Sequence, residues 1–179
     1  MLTTENTVLV VVDVQEKLFS VIDKKEELAK NLSILIQGAQ VLGIPALYTE
    51  QVPEKLGKTI PRLAAFLSSI APIAKKSFSC CKEMQFIQRL DALSRKAVVL
   101  AGIESHVCVY QTARDLVNLG YDVCVPADAV SSRTKENKLV GLDCAKESGV
   151  SVSSVEAILF ELLQVGEGER FKRILDLVK

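Results

Sequence analysis

Short apolar runs recur along this chain and alternate with longer segments that have helical spacing. The first run, at 7–12, is rich in valine, shows no polar alternation and is followed by Asp13. This pattern is typical of a strand that is buried on both faces of a parallel sheet. The other runs of this kind lie at 44–48, 71–74, 97–101, 121–125 and 150–152. The sequence therefore predicts six strands.

The segments between these runs carry apolar residues three and four positions apart, as amphipathic helices do. Gly43, Gly120 and Gly149 each follow such a segment and precede a strand, where a left-handed helix cap is expected. We therefore predict one domain, 1–179, with an α/β fold: a three-layer, doubly wound, Rossmann-like sheet of six parallel strands with helices on both faces. The stretch 51–72, which contains prolines and a glycine, predicts a loop and a short helix beside the active edge.

Composition narrows the range of partners. Lys and Arg total 22 and Asp and Glu total 22, so the formal net charge is zero, and no global field attracts nucleic acid or anionic lipid. No apolar run approaches the roughly 18 residues that cross a bilayer, and the first residues lack the features of a signal peptide. We expect a cytoplasmic protein that acts on a small molecule and has no nucleic-acid or membrane partner.

The cysteine and histidine counts limit metal and disulfide chemistry. The five cysteines form no CxxC pair, which argues against a structural zinc site and against a disulfide framework. His106 is the one histidine of the sequence, so a site with two histidine ligands cannot form within one chain. We expect no bound metal and no cofactor.

Three common catalytic and nucleotide-binding motifs are incomplete or missing. Gly57 and the two residues after it resemble the end of a P-loop, but Val52 stands where the first glycine is required. No GxGxxG follows the first strand, and no GxSxG elbow occurs. What remains is a set of polar residues at the carboxyl ends of predicted strands, where open α/β sheets bind ligands: Asp13, Lys75 and Cys108.

These three residue types form a coherent nucleophile, base and electrostatic partner. Cys108 is expected in the first turn of a helix, where the helix dipole and free amides stabilise a thiolate. A nearby Lys75 ammonium acts in the same direction, and Asp13 can take the thiol proton and pass it to a leaving group. If the strand order reverses between the first and fourth strands, Asp13 and Cys108 flank the crevice at that point.

The same residues carry a family resemblance that covers nearly the whole chain. Its elements are Asp-x-Gln after the first strand, Lys-x-x-Phe-Ser at 75–79, Gly-Ile-Glu-Ser-His-Val-Cys at 102–108, and the stretches 127–132 and 149–153. Together they resemble the isochorismatase-like cysteine hydrolases, and the form at 102–108 is closest to the isochorismatase domain-containing proteins. The resemblance implies a triad of Asp, Lys and Cys that hydrolyses amides, imides or related bonds.

The resemblance also implies roles for individual residues. The triad positions match Asp13, Lys75 and Cys108. A non-proline cis bond is implied between Ile103 and Glu104, and it turns the amides of Glu104 and Cys108 towards a developing oxyanion. Metal-dependent nicotinamidases of this superfamily use several histidines near the Asp, and this chain departs from that pattern because it has one.

Two neighbours of the triad require a choice. Lys76 competes with Lys75, but the motif spacing selects Lys75, and only one of two adjacent strand residues faces the crevice. His106 is two positions from Cys108, so we expect it to have a positioning or packing role rather than to act as the base. The other cysteines are interpreted as structural: Cys80, Cys81, Cys124 and Cys144.

The predicted substrate-binding residues are Gln15, Phe19, Phe78 and Ile103. Phe19 and Phe78, with Tyr110, can form an apolar wall or can equally belong to the core. Gln15, like Glu104, either lines the pocket or is a solvated loop residue. The sequence does not identify the substrate, because loops such as 51–61 determine specificity.

We therefore expect metal-independent hydrolysis of a small molecule through a covalent thioacyl intermediate. The alternatives are hydrolysis of a vinyl ether such as isochorismate, and a non-enzymatic binding protein that keeps the fold. We also expect a homo-oligomer, a dimer or larger, because the segment 154–163 has more apolar residues than one core-facing stripe requires. The alternative is that this segment packs on the sheet beneath the last helix, at 170–178.

Overall fold

A computed structural model describes residues 2–179, and its centre is a parallel sheet of seven strands. The strands are β1 (Thr7–Val12), β2 (Ala46–Gln51), β3 (Ile73–Lys75), β4 (Ala97–Ile103), β5 (Asp122–Pro126), β6 (Val130–Ser131) and β7 (Ser151–Ser153). Their order is β3-β2-β1-β4-β5-β7, with β6 paired to β4 beyond the end of β5. The order reverses between β1 and β4, as the sequence predicts for a doubly wound sheet.

Nine α-helices connect and cover the strands of the described chain. They are α1 (Glu16–Phe19), α2 (Lys25–Leu42), α3 (Pro53–Leu56), α4 (Pro61–Ala64), α5 (Met84–Ala92), α6 (Tyr110–Asn118), α7 (Lys135–Glu147), α8 (Val155–Leu163) and α9 (Gly168–Val178). A 3-10 turn, Cys80–Lys82, precedes α5, and a π-helical turn, Ser105–Val109, leads into α6. Within residues 2–179, the helices are too short or too polar to cross a membrane.

The central strands β1 and β4 are buried on both faces, which explains why β1 is apolar at every position after its first. Leu9 and Val11 pack into one core with α2, α8 and α9. Val8, Val10 and Val12 pack into a second core, on the other face, with α5, α6 and α7. The predicted three-layer architecture is confirmed.

The strand count differs from the predicted six because β6 contains only two residues. A two-residue strand shows no periodicity, and Val130–Ser131 joins the sheet through its register with Gly102 and Ile103. The carboxyl ends of β2, β3 and β4 lie further along the chain than the apolar runs indicate, at Gln51, Lys75 and Ile103. Their last residues are polar or follow a glycine, so hydropathy alone ends these strands too early.

Four of the apolar residues of α8 pack within the chain, so these four do not supply the interface predicted for 154–163. Val155, Ile158, Leu159 and Leu162 are buried in the first core against α2 and α9. Phe160 also packs on Phe171 of α9, with ring centroids 6.5 Å apart. The alternative arrangement, in which α9 covers the other side of α8, is therefore the observed one.

Candidate active site

The topology brings Asp13, Lys75 and Cys108 together at the carboxyl edge of the sheet. Asp13 follows β1, Lys75 ends β3, and Cys108 lies in the π-helical turn after β4. The Nζ atom of Lys75 lies 2.7 Å from Oδ2 of Asp13 and 3.6 Å from Sγ of Cys108. The solvent-exposed fraction is 0% for Asp13, 2% for Lys75 and 6% for Cys108. The three predicted catalytic side chains thus form one buried polar cluster.

Acceptors surround the Lys75 ammonium. Besides Asp13 and Cys108, it donates to Oε1 of Gln51 at 2.5 Å and to the carbonyls of Ser77 and Phe78 at 3.0 Å each. Burial alone lowers the pKa of Lys75, but the Asp13 carboxylate and the hydrogen bond to it, aided by the nearby cysteine sulfurs, outweigh burial and raise the pKa. Lys75 is therefore a fixed cation. Lys76, the competing lysine, is exposed, in agreement with the alternation of side chains along a strand.

Asp13 is held by its backbone and by both carboxylate oxygens. Its φ of 53° lies in the left-handed region, which Asp tolerates better than most residues. Its amide donates to the carbonyl of Thr49 at 3.2 Å, and Oδ1 accepts a 2.7 Å hydrogen bond from the Thr49 hydroxyl. Oδ2 faces Lys75. The carboxylate is thereby oriented with one oxygen on the shared ammonium.

Cys108 lies in a turn whose hydrogen bonding is not α-helical. The carbonyl of Glu104 accepts from the amides of Val107 and Val109, at 3.1 and 3.2 Å, and bypasses the amide of Cys108 between them. Gly141 of α7 packs against this turn so closely that a Cβ there would lie 2.5 Å from the amide nitrogen of His106. Close packing by α7 therefore fixes the turn that carries the thiol.

The protonation state of Cys108 differs from the stabilised thiolate that the sequence suggests. Burial, and next the Asp13 carboxylate, raise the pKa of the Cys108 thiol to about 12, although Lys75 acts in the opposite direction. The resting sulfur therefore carries its proton, because desolvation outweighs the nearby ammonium. A thiolate forms in this site only when a base takes that proton.

Gln15 has a structural role that the sequence did not indicate. Its side-chain Nε2 donates to the carbonyls of Gln51 and Gly57, at 3.0 and 2.6 Å, and its Oε1 accepts from the amide of Gln51 at 2.7 Å. Gln15 is fully buried. Its amide holds the loop after β2 against β1, which rules out the alternative that Gln15 is a solvated loop residue.

The other predicted substrate-binding residues are spread between core and surface. Ile103 is fully buried in the first core, and Phe19 packs against that core. Phe78 is 55% exposed, and its carbonyl contacts Lys75, so its ring lies on the surface close to the triad. Of these three residues, Phe78 is the most exposed, Phe19 is half-buried and Ile103 is inaccessible.

The predicted oxyanion segment has well-defined partners. The peptide bond between Ile103 and Glu104 is cis. The carboxylate of Glu104 accepts from the backbone amide and from Nε of Arg133, at 3.0 and 3.1 Å, so its side chain holds the loop after β6. His106 has a positioning contact, since its Nδ1 lies 3.0 Å from the Ser132 hydroxyl.

The candidate site does not contain a set of side chains suited to bind a metal ion. Across residues 2–179, no three His, Cys, Asp or Glu side chains are grouped so that they could hold a metal ion. The one histidine contacts a serine, and Asp13 is occupied by Lys75 and Thr49. The residues present do not fit the histidine-rich metal site of the nicotinamidases.

Two residues of the site, Thr49 and Gln51, were not predicted. Both lie at the end of β2, which the apolar run placed at residue 48. The polar stretch Thr49, Glu50, Gln51 directly after an apolar run is the signal that could have found them, since ligand sites form at strand ends.

The triad does not open into the cavity of about 440 Å³ that lies elsewhere on the molecule. That cavity lies at the opposite end of β5, beside Tyr121 and Cys124. A smaller one, of about 170 Å³, is lined by Lys75, Pro53 and Glu83 at the sheet edge. The chemistry of the buried cluster, rather than cavity size, therefore identifies the candidate site.

Comparison with known proteins gives a consistent match over almost the full length. The family model described as "Isochorismatase domain" matches residues 7–157. Isochorismatase domain-containing protein 2 of Danio rerio is 36% identical over 177 residues, which cover 99% of this chain and 89% of that protein.

Solved structures show the same fold. The MAR1 ribonuclease of Caenorhabditis elegans has a TM-score of 0.93 and 35% identity, covering 99% of this chain and 91% of its own. The YcaC gene product of Escherichia coli, described as an octameric hydrolase of unknown specificity, has a TM-score of 0.93 at 20% identity, covering 98% and 89%.

Proposed function

The chain belongs to the isochorismatase domain family, and from this premise we propose that it is a metal-independent cysteine hydrolase of a small-molecule amide, imide or related bond. One observation carries the proposal: the buried Lys75 ammonium lies 2.7 Å from the Asp13 carboxylate and 3.6 Å from the Cys108 sulfur. A candidate nucleophile, base and cation therefore share one dry site, an arrangement suited to covalent catalysis by cysteine.

In the first step, Asp13 takes the Cys108 proton as the sulfur attacks the substrate carbonyl carbon. The raised pKa of the thiol, about 12, makes this transfer necessary, and Lys75 stabilises the negative charge that develops on sulfur. The new C–S bond turns the carbonyl oxygen into an oxyanion. The amides of Glu104 and Cys108 are the proposed donors to that oxygen, and the amide of Cys108 is one that the Glu104 carbonyl bypasses.

The second half of the proposed reaction releases the amine and the acid products. Asp13 delivers its proton to the leaving nitrogen as the C–N bond breaks, which leaves a thioacyl group on Cys108. Water then attacks this group while Asp13 takes one of its protons. The C–S bond breaks, the thiol regains its proton, and an acid is released. Lys75 remains charged throughout, consistent with its raised pKa.

Burial and charge favour a small substrate over a polymer. The triad is almost fully shielded, and the formal net charge is zero, so nothing in the composition attracts a phosphate backbone. RNA is nevertheless a competing substrate class, because a relative with 35% identity is named a ribonuclease. The family description adds isochorismate, whose vinyl ether can be hydrolysed without a thioacyl group. A binding protein that keeps the fold is the non-enzymatic alternative.

A homo-oligomer remains part of the proposal, with different surfaces from the one first expected. The octameric assembly described for the E. coli protein supports it. Because most apolar residues of α8 are buried within the chain, exposed apolar side chains elsewhere are the better interface candidates, and they include Phe78, Met84, Leu139 and Val140. Light scattering at micromolar concentration tests this, and a mass near 19.6 kDa contradicts it.

The experiment that tests the proposed function is a substrate screen on the parent protein and on two cysteine variants. The screen includes small amides, imides, isochorismate and RNA. Cys124→Ala is the matched control, because Cys124 is as little exposed as Cys108, 6%, but lies in the middle of β5 and packs into the first core, whereas Cys108 packs into the second. We expect turnover of an amide or imide by the parent and by Cys124→Ala, and loss of turnover in Cys108→Ala. The same activity in Cys108→Ala would overturn the proposal.

The metal-independent part of the proposal has its own control. We expect full turnover after dialysis against EDTA, because the donor set around Asp13 is occupied by Lys75 and Thr49. Activity that disappears with EDTA and returns with zinc or iron contradicts this part alone.

A further inference from the structure

The strand that carries Lys75 is short and is held by few backbone hydrogen bonds. β3 contains three residues and pairs only with β2, so it forms the edge of the sheet. The chain leaves the sheet directly after Lys75. The carbonyls of Ser77 and Phe78, both beyond the strand, nevertheless turn back and accept hydrogen bonds from Lys75 Nζ at 3.0 Å. Something other than the sheet must hold this turn.

Glu83 supplies that hold. Its Oε1 accepts from the backbone amides of Lys76 and Ser77, at 2.9 and 3.0 Å. On the other side, Nε2 of Gln51 donates to the carbonyl of Lys76 at 2.7 Å. Both backbone polar groups of Lys76 are therefore bound by side chains from elsewhere in the chain. The peptide that follows Lys75 is clamped between β2 and the start of α5.

The position of Glu83 at the start of α5 would normally give its side chain a different hydrogen-bonding role. Glu83 is the N-cap residue of α5, a position from which a side chain commonly accepts from its own helix. The side chain makes no such cap bond, and instead reaches back to the turn after β3. The two donated amide bonds, that of Ser77 first, lower the pKa of the Glu83 carboxyl. The carboxylate thus serves the Lys75 turn rather than its own helix.

We propose that Glu83 is a positioning residue for Lys75: it fixes the turn at 76–78 so that two backbone carbonyls hold the ammonium between Asp13 and Cys108. This inference rests on the proposed function for its catalytic consequence, since Lys75 is the group that faces the reacting sulfur. Glu83 itself touches no reacting atom. It acts through the backbone of Lys76 and Ser77 alone.

Three variants separate this role from a general effect on stability. Glu83→Ala removes the acceptor. Glu83→Gln keeps an oxygen in the position that both amides use, so it preserves the clamp without the charge. Glu54→Ala is the matched control, because Glu54 lines the same 170 Å³ cavity while its removal leaves both amide bonds in place.

The first measurement needs no substrate. In protein labelled with ¹⁵N-lysine, the Nζ signal of Lys75 is assigned by its absence from Lys75→Met, and its hydrogen exchange is followed by NMR. We expect exchange to be roughly tenfold faster or more in Glu83→Ala, because local opening of a hydrogen-bonded turn exposes the ammonium. The Glu83→Gln and Glu54→Ala variants should match the parent. Parent exchange in Glu83→Ala overturns the inference.

The second measurement is turnover of the substrate that the screen identifies. We expect Glu83→Ala to lose about tenfold or more in kcat, since a small misplacement of a catalytic group has effects of this order, with KM within about threefold. Glu83→Gln should restore kcat. Parent kcat in Glu83→Ala, or an equal loss in Glu83→Gln, overturns the inference. A fully active Cys108→Ala would instead contradict the proposed function. The NMR measurement would then still test whether Glu83 holds the turn at 76–78.

Discussion

The Nζ atom of Lys75 lies 2.7 Å from Oδ2 of Asp13, and neither side chain is accessible to solvent. Removal of one partner therefore leaves an unpaired charge in the interior. We expect Lys75→Met to lower the free energy of unfolding by about 3 to 5 kcal/mol. The double variant with Asp13→Asn should recover a large part of that loss. Urea unfolding measures both values, and losses that simply add would contradict the buried pair.

Substitution of Thr49 tests how the Asp13 carboxylate is oriented. Its hydroxyl donates to Oδ1 of Asp13 at 2.7 Å, inside the protein. Thr49→Val keeps the shape of the side chain and removes the donor, so we expect a loss of about 1 to 3 kcal/mol in unfolding free energy. Thr49→Ser keeps the donor and should recover stability relative to Val. If the two variants are equally destabilised, the hydroxyl is not what orients the carboxylate.

Gly102 is required where β4 passes β1. Its φ is +114°, and a Cβ there would lie 2.2 Å from the carbonyl oxygen of Val12. We expect Gly102→Ala to lose more than about 4 kcal/mol of stability or to fail to fold. Gly43→Ala is the control, since Gly43 also has a positive φ, +70°, but nothing lies within 4 Å of its Cβ position. It should lose only about 1 to 2 kcal/mol. Soluble yield and thermal melting distinguish the two.

The Glu83 clamp predicts a dependence of stability on pH. The amides of Ser77 and Lys76 lower the pKa of the Glu83 carboxyl below its ordinary value of 4.5. A lowered carboxyl pKa stabilises the folded state fully above pH 4.5, and this stabilisation is lost as the pH falls through the folded value. Relative to Glu83→Gln, the parent should therefore lose stability below pH 4.5. A constant difference between the two proteins across this range contradicts the clamp.

Much of the fold could be predicted because its signals are local. β1 is valine-rich and buried on both faces, and the glycines after α2, α6 and α7 adopt the predicted positive φ. These signals depend on a few neighbouring residues. The two-residue strand Val130–Ser131 carries no such signal, because its pairing with β4 depends on the path of the whole chain.

The three strand-end positions of the proposed triad could be read from the sequence, whereas Thr49, Gln51 and the electrostatics of the site could not. Asp13, Lys75 and Cys108 stand at strand ends, and strand ends of a parallel sheet meet at one edge. The raised pKa of Cys108 depends on burial by residues distant in sequence, which a motif does not reveal. Gln15 likewise looks like a pocket residue beside Asp13, yet its amide is used by the backbone of Gln51 and Gly57.

The central claim is that the Cys108 sulfur becomes covalently bonded to the substrate. The direct test is acid quenching during turnover of the identified substrate, followed by peptide mass spectrometry of all five cysteines. We expect one acyl group on the Cys108 peptide and none on Cys124. We also expect the adduct to be missing from Asp13→Asn, because no base then takes the thiol proton. Full turnover with an unmodified Cys108 peptide would contradict the account.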